Sequence, residues 1–526
     1  MKTTRKVFAI ALSLVMVFAL AISAFAANEY SITIDNKAPD HVYEAYQIFA
    51  GDLSTNAEGT KVLSNITWGS GVDQVKLVDG KTVSDVFAGQ TAEEIAAGLK
   101  TEDDAKAFAA KVAPYLKNAK ASAAQANDKY VISGLDAGYY LVKDQNNTLQ
   151  DKDDFYTAYI MKVVANVSAA PKGDKPSLDK QIKHNESGTW GVVGDNQIGD
   201  TVEFRTITTV PDTTGYDTYV YKIHDTMSVG LTSNVSTAAD ITIKVNDAEV
   251  LDAKYYTVTA NGNSFTVNVD ILAAINDGVL AKNDSLYTYY TGVLNADAKV
   301  YDEGKQENVA YLEYSNNPND EGTGRTKEVK VYDWTFKMGV NKVDENGNAL
   351  TGAKFVLSKN GTLKVSDLNC NAEGIPTNTA DLIALVKVSD GVYRVATNKD
   401  EAATIVYDID AGNVVIKGLD DTITYYLYET KAPEGYNLLK SPVEFKITAE
   451  YNADGASLKT GSPTVTVGAG EPSATLSTDV VNNSGSTLPE TGGIGTTIFY
   501  IAGALLVVAA GIILVTRKRM SSKTKA

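Results

Sequence analysis

Tyr425-Tyr426-Leu427-Tyr428-Glu429-Thr430-Lys431-Ala432-Pro433-Glu434-Gly435-Tyr436 reads as an aromatic-rich strand that runs into a Pro- and Gly-containing turn. Gly418-Leu419-Asp420 stands just before it. Far upstream, Gly134-Leu135-Asp136 leads in the same way to Tyr139-Tyr140-Leu141, so one supersecondary unit occurs twice in the chain. Around these units, Thr201–Thr209, Ser264–Val269, Tyr311–Tyr314, Val392–Thr397 and Thr404–Tyr407 alternate apolar and polar residues or are rich in β-branched and aromatic types. Gly, Asn and Asp punctuate them at short intervals, a spacing that predicts β-sandwiches.

One region departs from this pattern. Thr91–Ala126 is rich in Ala, Glu and Lys, and Thr101 with Asp104 forms a helix start of the capping-box kind. Ala105, Phe108, Val112 and Leu116 then share a face, which predicts a helix inserted in the first domain with that face on the core. Breaks are suggested at 170–177, where Pro171 and Pro176 flank Gly and Lys, and near 331–334. Asn483-Ser484-Gly485-Ser486-Thr487 reads as a flexible polar linker.

The ends decide the compartment. Lys2, Arg5 and Lys6 precede the apolar run 7–21, and Ala24-Phe25-Ala26 supplies a small-x-small site, so residues 1–26 read as a secretory signal peptide cleaved before Ala27. Residues 497–515 are uncharged and long enough for a transmembrane helix, and Arg517, Lys518 and Arg519 follow. Basic residues stay in the cytoplasm, which places everything upstream outside the cell. Two apolar segments do not make a channel. The formal charge is −17, and the two ends carry eight of the basic residues and no acid, so the part between them is more acidic still. Such a chain repels nucleic acid. Cys370 is the single cysteine, so covalent stapling within the chain needs chemistry other than a disulfide.

Leu488-Pro489-Glu490-Thr491-Gly492 lies just before the apolar segment. In that place it reads as the recognition sequence of a sortase, whose cysteine thiolate attacks the Thr491 carbonyl and releases Gly492. The Thr491 acyl group then passes to an amine.

The chain resembles, over nearly its whole length, the LPXTG-anchored major (backbone) pilins that pilus-specific sortases assemble in Gram-positive bacteria. The likeness rests on Tyr43-Glu44-Ala45-Tyr46-Gln47-Ile48-Phe49, on Gly138-Tyr139-Tyr140-Leu141 and on Val167-Ser168-Ala169-Ala170-Pro171-Lys172. In that family a Tyr-Pro-Lys-like motif closing the first domain supplies the lysine that accepts the acyl group. Lys172 matches that lysine, with Ala170 in place of the tyrosine and Lys175 as the alternative. The resemblance implies three tandem Ig-like β-sandwich domains, mainly β and the first with a helical insertion. The expected organisation is a signal peptide (1–26), an N-terminal pilin domain (27–170), a linker with the acceptor lysine (171–177), a middle domain (178–332), a collagen-adhesin B-type domain (333–483), and a sorting signal with transmembrane helix and basic tail (484–526).

The same resemblance implies crosslinks made by the chain itself. Lys342 on the strand before the Asn346-Gly347 turn, Glu429 ahead of Ala432-Pro433-Glu434-Gly435-Tyr436, and Asn482 near the end match the lysine, acid and asparagine of a collagen-adhesin B-type isopeptide bond, with Asn483 as an alternative. Burial lowers the pKa of such a lysine and keeps the acid neutral, able to donate a proton to the asparagine amide. An amide is a poor electrophile, so the rate rests on holding the groups together. In the middle domain Lys180, Asp225 and Asn308 match a second triad, with Lys183, Glu203 and Asn316 as alternatives. Each bond is expected to join the first and last strands of its domain. In the first domain, Lys143 and then Asp144 stand where Glu429 stands in the repeat, and no crosslink is expected.

The expected role is thus a structural shaft subunit of a covalently polymerised pilus, supporting adhesion, with a single anchored adhesin or accessory pilin as the alternative. Expected partners are a pilus-specific or housekeeping sortase, other copies of the chain, accessory pilins, peptidoglycan and an unnamed host surface ligand. No cofactor and no metal are expected: His41, His184 and His224 are scattered, and no Cys/His ligand spacing or phosphate-binding glycine loop occurs. The 29 tyrosines are spread over strands and read as packing residues. The chain reads as a sortase substrate, not a turnover enzyme.

Overall fold

A computed structural model describes residues 30–57, 59–171, 175–213, 216–318, 322–485 and 494–521. The signal peptide, Lys172 and the Leu488–Gly492 motif lie outside them.

Two sheets build the N-terminal part. In the first, Tyr30–Asp35 runs antiparallel to Lys129–Leu135 and parallel to Val167–Ala169. In the second, Lys61–Trp68, Tyr43–Thr55, Gly138–Asp144 and Ala158–Val163 pair in that order, with Lys120–Ala121 added at Tyr43–Thr55. Side chains alternate between the faces of a strand. Tyr140, Val142, Tyr159 and Met161 therefore pack toward the first sheet, beside Ile32, Ile34 and Tyr130. Leu141, Ala158 and Ile160 face the other way, into a second core with Ile48, Phe49, Phe108 and Val112. That second core exists because the helices cover this face. Glu102–Val112 starts where expected: Thr101 accepts from the Asp104 amide at 3.1 Å, and the Thr101 amide donates to Asp104 at 2.9 Å. Ala105, Phe108 and Val112 are buried, and Leu116 lies beyond the helix end, partly buried. Two shorter capped helices, Val83–Val86 and Ala92–Gly98, precede it.

The middle part is a sandwich of two seven-stranded sheets. One is built on Leu178–Lys183, Thr201–Thr209 and Ser285–Leu294, the other on Tyr221–Met227, Ser264–Val269, Gln306–Ser315 and Val329–Trp334. Ser285–Leu294 and Gln306–Ser315 alternate buried and half-buried along all their residues. The last part pairs a six-stranded sheet centred on Asn413–Leu419 and Phe336–Asp344 with a five-stranded sheet centred on Thr424–Lys431. After Phe336–Asp344, Gly347 takes φ +81°, the left-handed conformation the turn requires. Apolar contacts run without a break from the middle sandwich into the last one.

Two expectations shift in detail. Val392–Thr397 and Thr404–Tyr407 shorten to Val392–Val395 and Ile405–Val406. Residues 483–485, expected in a flexible linker, are held by the Gly435–Asn437 loop and Glu345. Asn437 N donates to Asn483 O at 3.1 Å, Gly485 N to Gly435 O at 2.9 Å, and Ser484 Oγ to Glu345 Oε1 at 2.9 Å. Finally, Ile494–Ser521 is one helix, and its stretch Phe499–Met520 is long and apolar enough to cross a membrane.

Candidate crosslinking triads

Strand parity sends the expected lysines inward. On Phe336–Asp344, Lys342 keeps step with Phe336, Met338 and Val340, all core residues; on Leu178–Lys183, Lys180 keeps step with Ile182. Both lysines have 0% of their surface exposed, and among the described residues no other lysine is buried.

Around Lys342 three strands converge. Phe336–Asp344 runs parallel to Ser477–Asn482, with Lys342 opposite Val480 and Asp344 opposite Asn482. Lys342 Nζ donates to Val480 O at 2.7 Å. Asn482 Nδ2 donates to Glu429 Oε2 at 3.0 Å and to Asn437 O at 2.6 Å. Leu439 N donates to the same Glu429 oxygen at 2.8 Å. Glu429 Oε1 and Asn482 Oδ1 are buried and receive no hydrogen bond. Burial pushes the Lys342 amine below its usual range, with Glu429 opposing. Burial pushes the Glu429 carboxyl up, against the bonds from Asn482 and Leu439 and the charge of Lys342. Each shift favours the neutral form the chemistry needs. The acid lies against the asparagine nitrogen, the atom that would leave as ammonia. Asn483, next in sequence, points outward and is exposed.

The second cluster bridges the middle sandwich. Lys180 comes from one sheet, Asp225 and Asn308 from the other, and Tyr290 from the lysine's own sheet. Lys180 Nζ donates to Asp225 Oδ2 and to Tyr290 Oη. The Tyr290 hydroxyl lies 2.5 Å from Asp225 Oδ2 and receives Asn308 Nδ2 at 3.3 Å. Asp225 Oδ1 and Asn308 Oδ1 have no partner. Burial drives the Lys180 amine down and the Asp225 carboxyl up, against their mutual attraction. The alternatives lie elsewhere: Lys183 pairs with Glu203 at 2.7 Å on the surface, and Asn316 Nδ2 donates to Leu149 O at 2.9 Å at the N-terminal junction. One expectation is corrected. Asn308 is not on the last strand of its sandwich, because Gln306–Ser315 is followed by Val329–Trp334 in the same sheet.

Tyr290 is absent from the sequence-based triad. Its signal was available, because it keeps step with the buried Leu286, Thr288 and Leu294 and so presents a hydroxyl to the core.

The N-terminal core holds no buried lysine among the described residues. Lys143 is half-buried, 3.5 Å from Glu44. A histidine fills a polar site there instead: His41 bonds Asp144 at 2.7 Å and Asp154 at 3.1 Å and stacks on Tyr43. Burial alone would lower its pKa, yet the two carboxylates raise it overall to about 9. Lys175, the alternative acceptor, is held by the backbone carbonyl and carboxylate of Asp153 at 2.7 and 2.9 Å.

Comparison with known proteins matches two stretches of the chain to families. Residues 336–459 match the SpaA family, a prealbumin-like fold domain, and residues 480–522 match the LPXTG cell wall anchor motif. This is a cell-wall-anchored surface protein. The anchored protein is 25% identical over 389 residues to the fimbrial subunit type 1 of Actinomyces viscosus, a match covering 67% of this chain and 66% of that one. It is also 25% identical over 400 residues to the trypsin-resistant surface T6 protein of Streptococcus pyogenes serotype M6, covering 67% and 70%. Among solved structures, the full-length major pilin SpaD from Corynebacterium diphtheriae superposes with a TM-score of 0.48 at 17% identity, covering 87% of this chain and 98% of that one.

Proposed function

We propose that this chain is the shaft subunit of a covalently polymerised pilus. A sortase joins Thr491 of one copy to Lys172 of the next, and intramolecular Lys342–Asn482 and Lys180–Asn308 amide bonds stabilise the two following sandwiches. Glu429 and Asp225 serve as the promoting acids. The observation that carries the reading is that the lysines buried among the described residues, Lys180 and Lys342, each share a core with a buried acid and a buried asparagine whose carbonyl oxygen has no partner. In each reaction the neutral lysine amine attacks the asparagine Cγ. The acid passes a proton to the departing nitrogen, one C–N bond replaces another, and ammonia leaves. The engagement of Lys175 by Asp153 favours Lys172 as the intermolecular acceptor. Accessory pilins and peptidoglycan take the ends of such a polymer.

Two measurements test the two halves separately. Cell-wall extracts resolved on a denaturing gel should show a ladder of covalent multimers that Lys172→Ala collapses. A ladder unchanged by Lys172→Ala rejects that lysine, and the absence of any ladder in the parent returns the chain to a single anchored adhesin. The intact mass of the purified chain should fall short of the sequence mass by two ammonias. Agreement with the sequence mass removes both internal bonds.

A further inference from the structure

The junction of the middle and last sandwiches gathers acids that the crosslinking chemistry does not use. Asp195 ends the strand Val193–Asp195, which runs parallel to Val329–Trp334 and sets Gly194 beside Asp333. Asp420 and Asp421 follow the strand Asn413–Leu419 of the last sandwich. All four carboxylates are at least 99% buried. Asn185 Nδ2 donates to Asp420 at 2.6 Å, Asn196 Nδ2 to Asp333 at 2.8 Å, and Ala449 N to Asp421 at 2.9 Å. These bonds leave one oxygen of each of those three acids without a partner, and Asp195 has no hydrogen bond at either oxygen.

Burying several ionised carboxylates together is untenable without a compensating positive charge. Among the described residues, the basic side chain that pairs with these acids is His184, whose Nε2 lies 2.9 Å from Asp195 Oδ1. The ligand atoms of His184, Asp195 and Asp421 all lie within 4.8 Å of one another. The histidines are scattered in the sequence, which gives no expectation of a metal site. Here the fold joins one of them to aspartates from two distant segments.

We propose that His184, Asp195 and Asp421 hold one divalent cation at this junction and so tie the middle sandwich to the last. An imidazole beside carboxylates suits Mn²⁺ or Zn²⁺ over Ca²⁺. About a quarter of the His184 side chain is exposed, which gives the ion a route in.

The test uses the full-length chain in detergent, stripped with EDTA and titrated with Mn²⁺, Zn²⁺ and Ca²⁺ by calorimetry. One equivalent of Mn²⁺ or Zn²⁺ should bind, with Ca²⁺ weaker, and Asp195→Asn and His184→Gln should each weaken binding at least tenfold. The cation should also raise the unfolding temperature of the parent and leave that of His184→Gln unchanged. Should Asp195→Asn not fold, the part-exposed His184→Gln decides alone. No saturable binding, binding kept by His184→Gln, or tighter binding of Ca²⁺ overturns the proposal.

Discussion

At the scale of the residue, a lysine whose Nζ meets only a carboxylate, a phenol and backbone oxygens inside a β-core is costly to bury as a charge. Burial drives Lys180 and Lys342 toward the neutral amine, the form that the proposed acylation would fix. Glu429→Gln keeps the shape of the site and removes the transferable proton. We expect its chain to fall short of its own sequence mass by one ammonia where the parent falls short by two, with the last sandwich less stable by about 2–5 kcal/mol for the loss of so long a closed loop. Intact mass and thermal unfolding read the two effects. Tyr290 touches Lys180, Asp225 and Asn308. Tyr290→Phe should therefore slow bond formation in the middle sandwich, seen as uncrosslinked chain early after synthesis; complete bonding at the parental rate would leave the hydroxyl a packing role only. His41 acts through charge. Its folded pKa of about 9 lies above the ordinary 6.5, so its stabilisation is fully present below pH 6.5 and is lost as the pH rises through about 9. Hydrogen exchange in Ala158–Val163, corrected for intrinsic rate, should show easier opening across that window in the parent and no such trend in His41→Gln.

At the scale of the element, the alternation of strands explains both what the sequence disclosed and what it hid. Thr201–Thr209 and Ser264–Val269 appear with the expected bounds because each has one buried face and turn residues at its ends. Parity also puts Lys342 in step with Val340 and Asn482 in step with Val480. Pairing across the sandwich is a different matter: Lys180 meets Asp225, and Tyr290 joins them to Asn308, only because two sheets stack, and no period along one strand encodes that. The same limit hid the meeting of His184 with Asp195 and Asp421. Local signals served best where the chemistry is local. Thr101 and Asp104 cap each other within one turn, and Thr101→Ala should cost about 1 kcal/mol in the thermal unfolding of the N-terminal part.

At the scale of the whole molecule, the proposed bond between Lys342 and Asn482 would let tension pass between neighbouring parallel strands without entering the sequence they enclose. The proposed Lys180–Asn308 bond would clasp one sheet to the other and protect what lies between in the same way. Single-molecule pulling of the parent should thus release no length from 181–307 or 343–481, whereas a chain carrying Asp225→Asn and Glu429→Gln should release both. Full extension of the parent would exclude the clasps. The capture of Gly485 by Gly435 bears on a separate matter, the geometry of export. From Gly485 to Ile494, where the final helix starts, the chain spans nine residue steps and reaches about 30 Å at most. With the Thr491–Gly492 bond intact, the body of an exported chain would be moored that close to the lipid. The sortase proposed to cut it would work in a gap little wider than a small domain, approaching from the side.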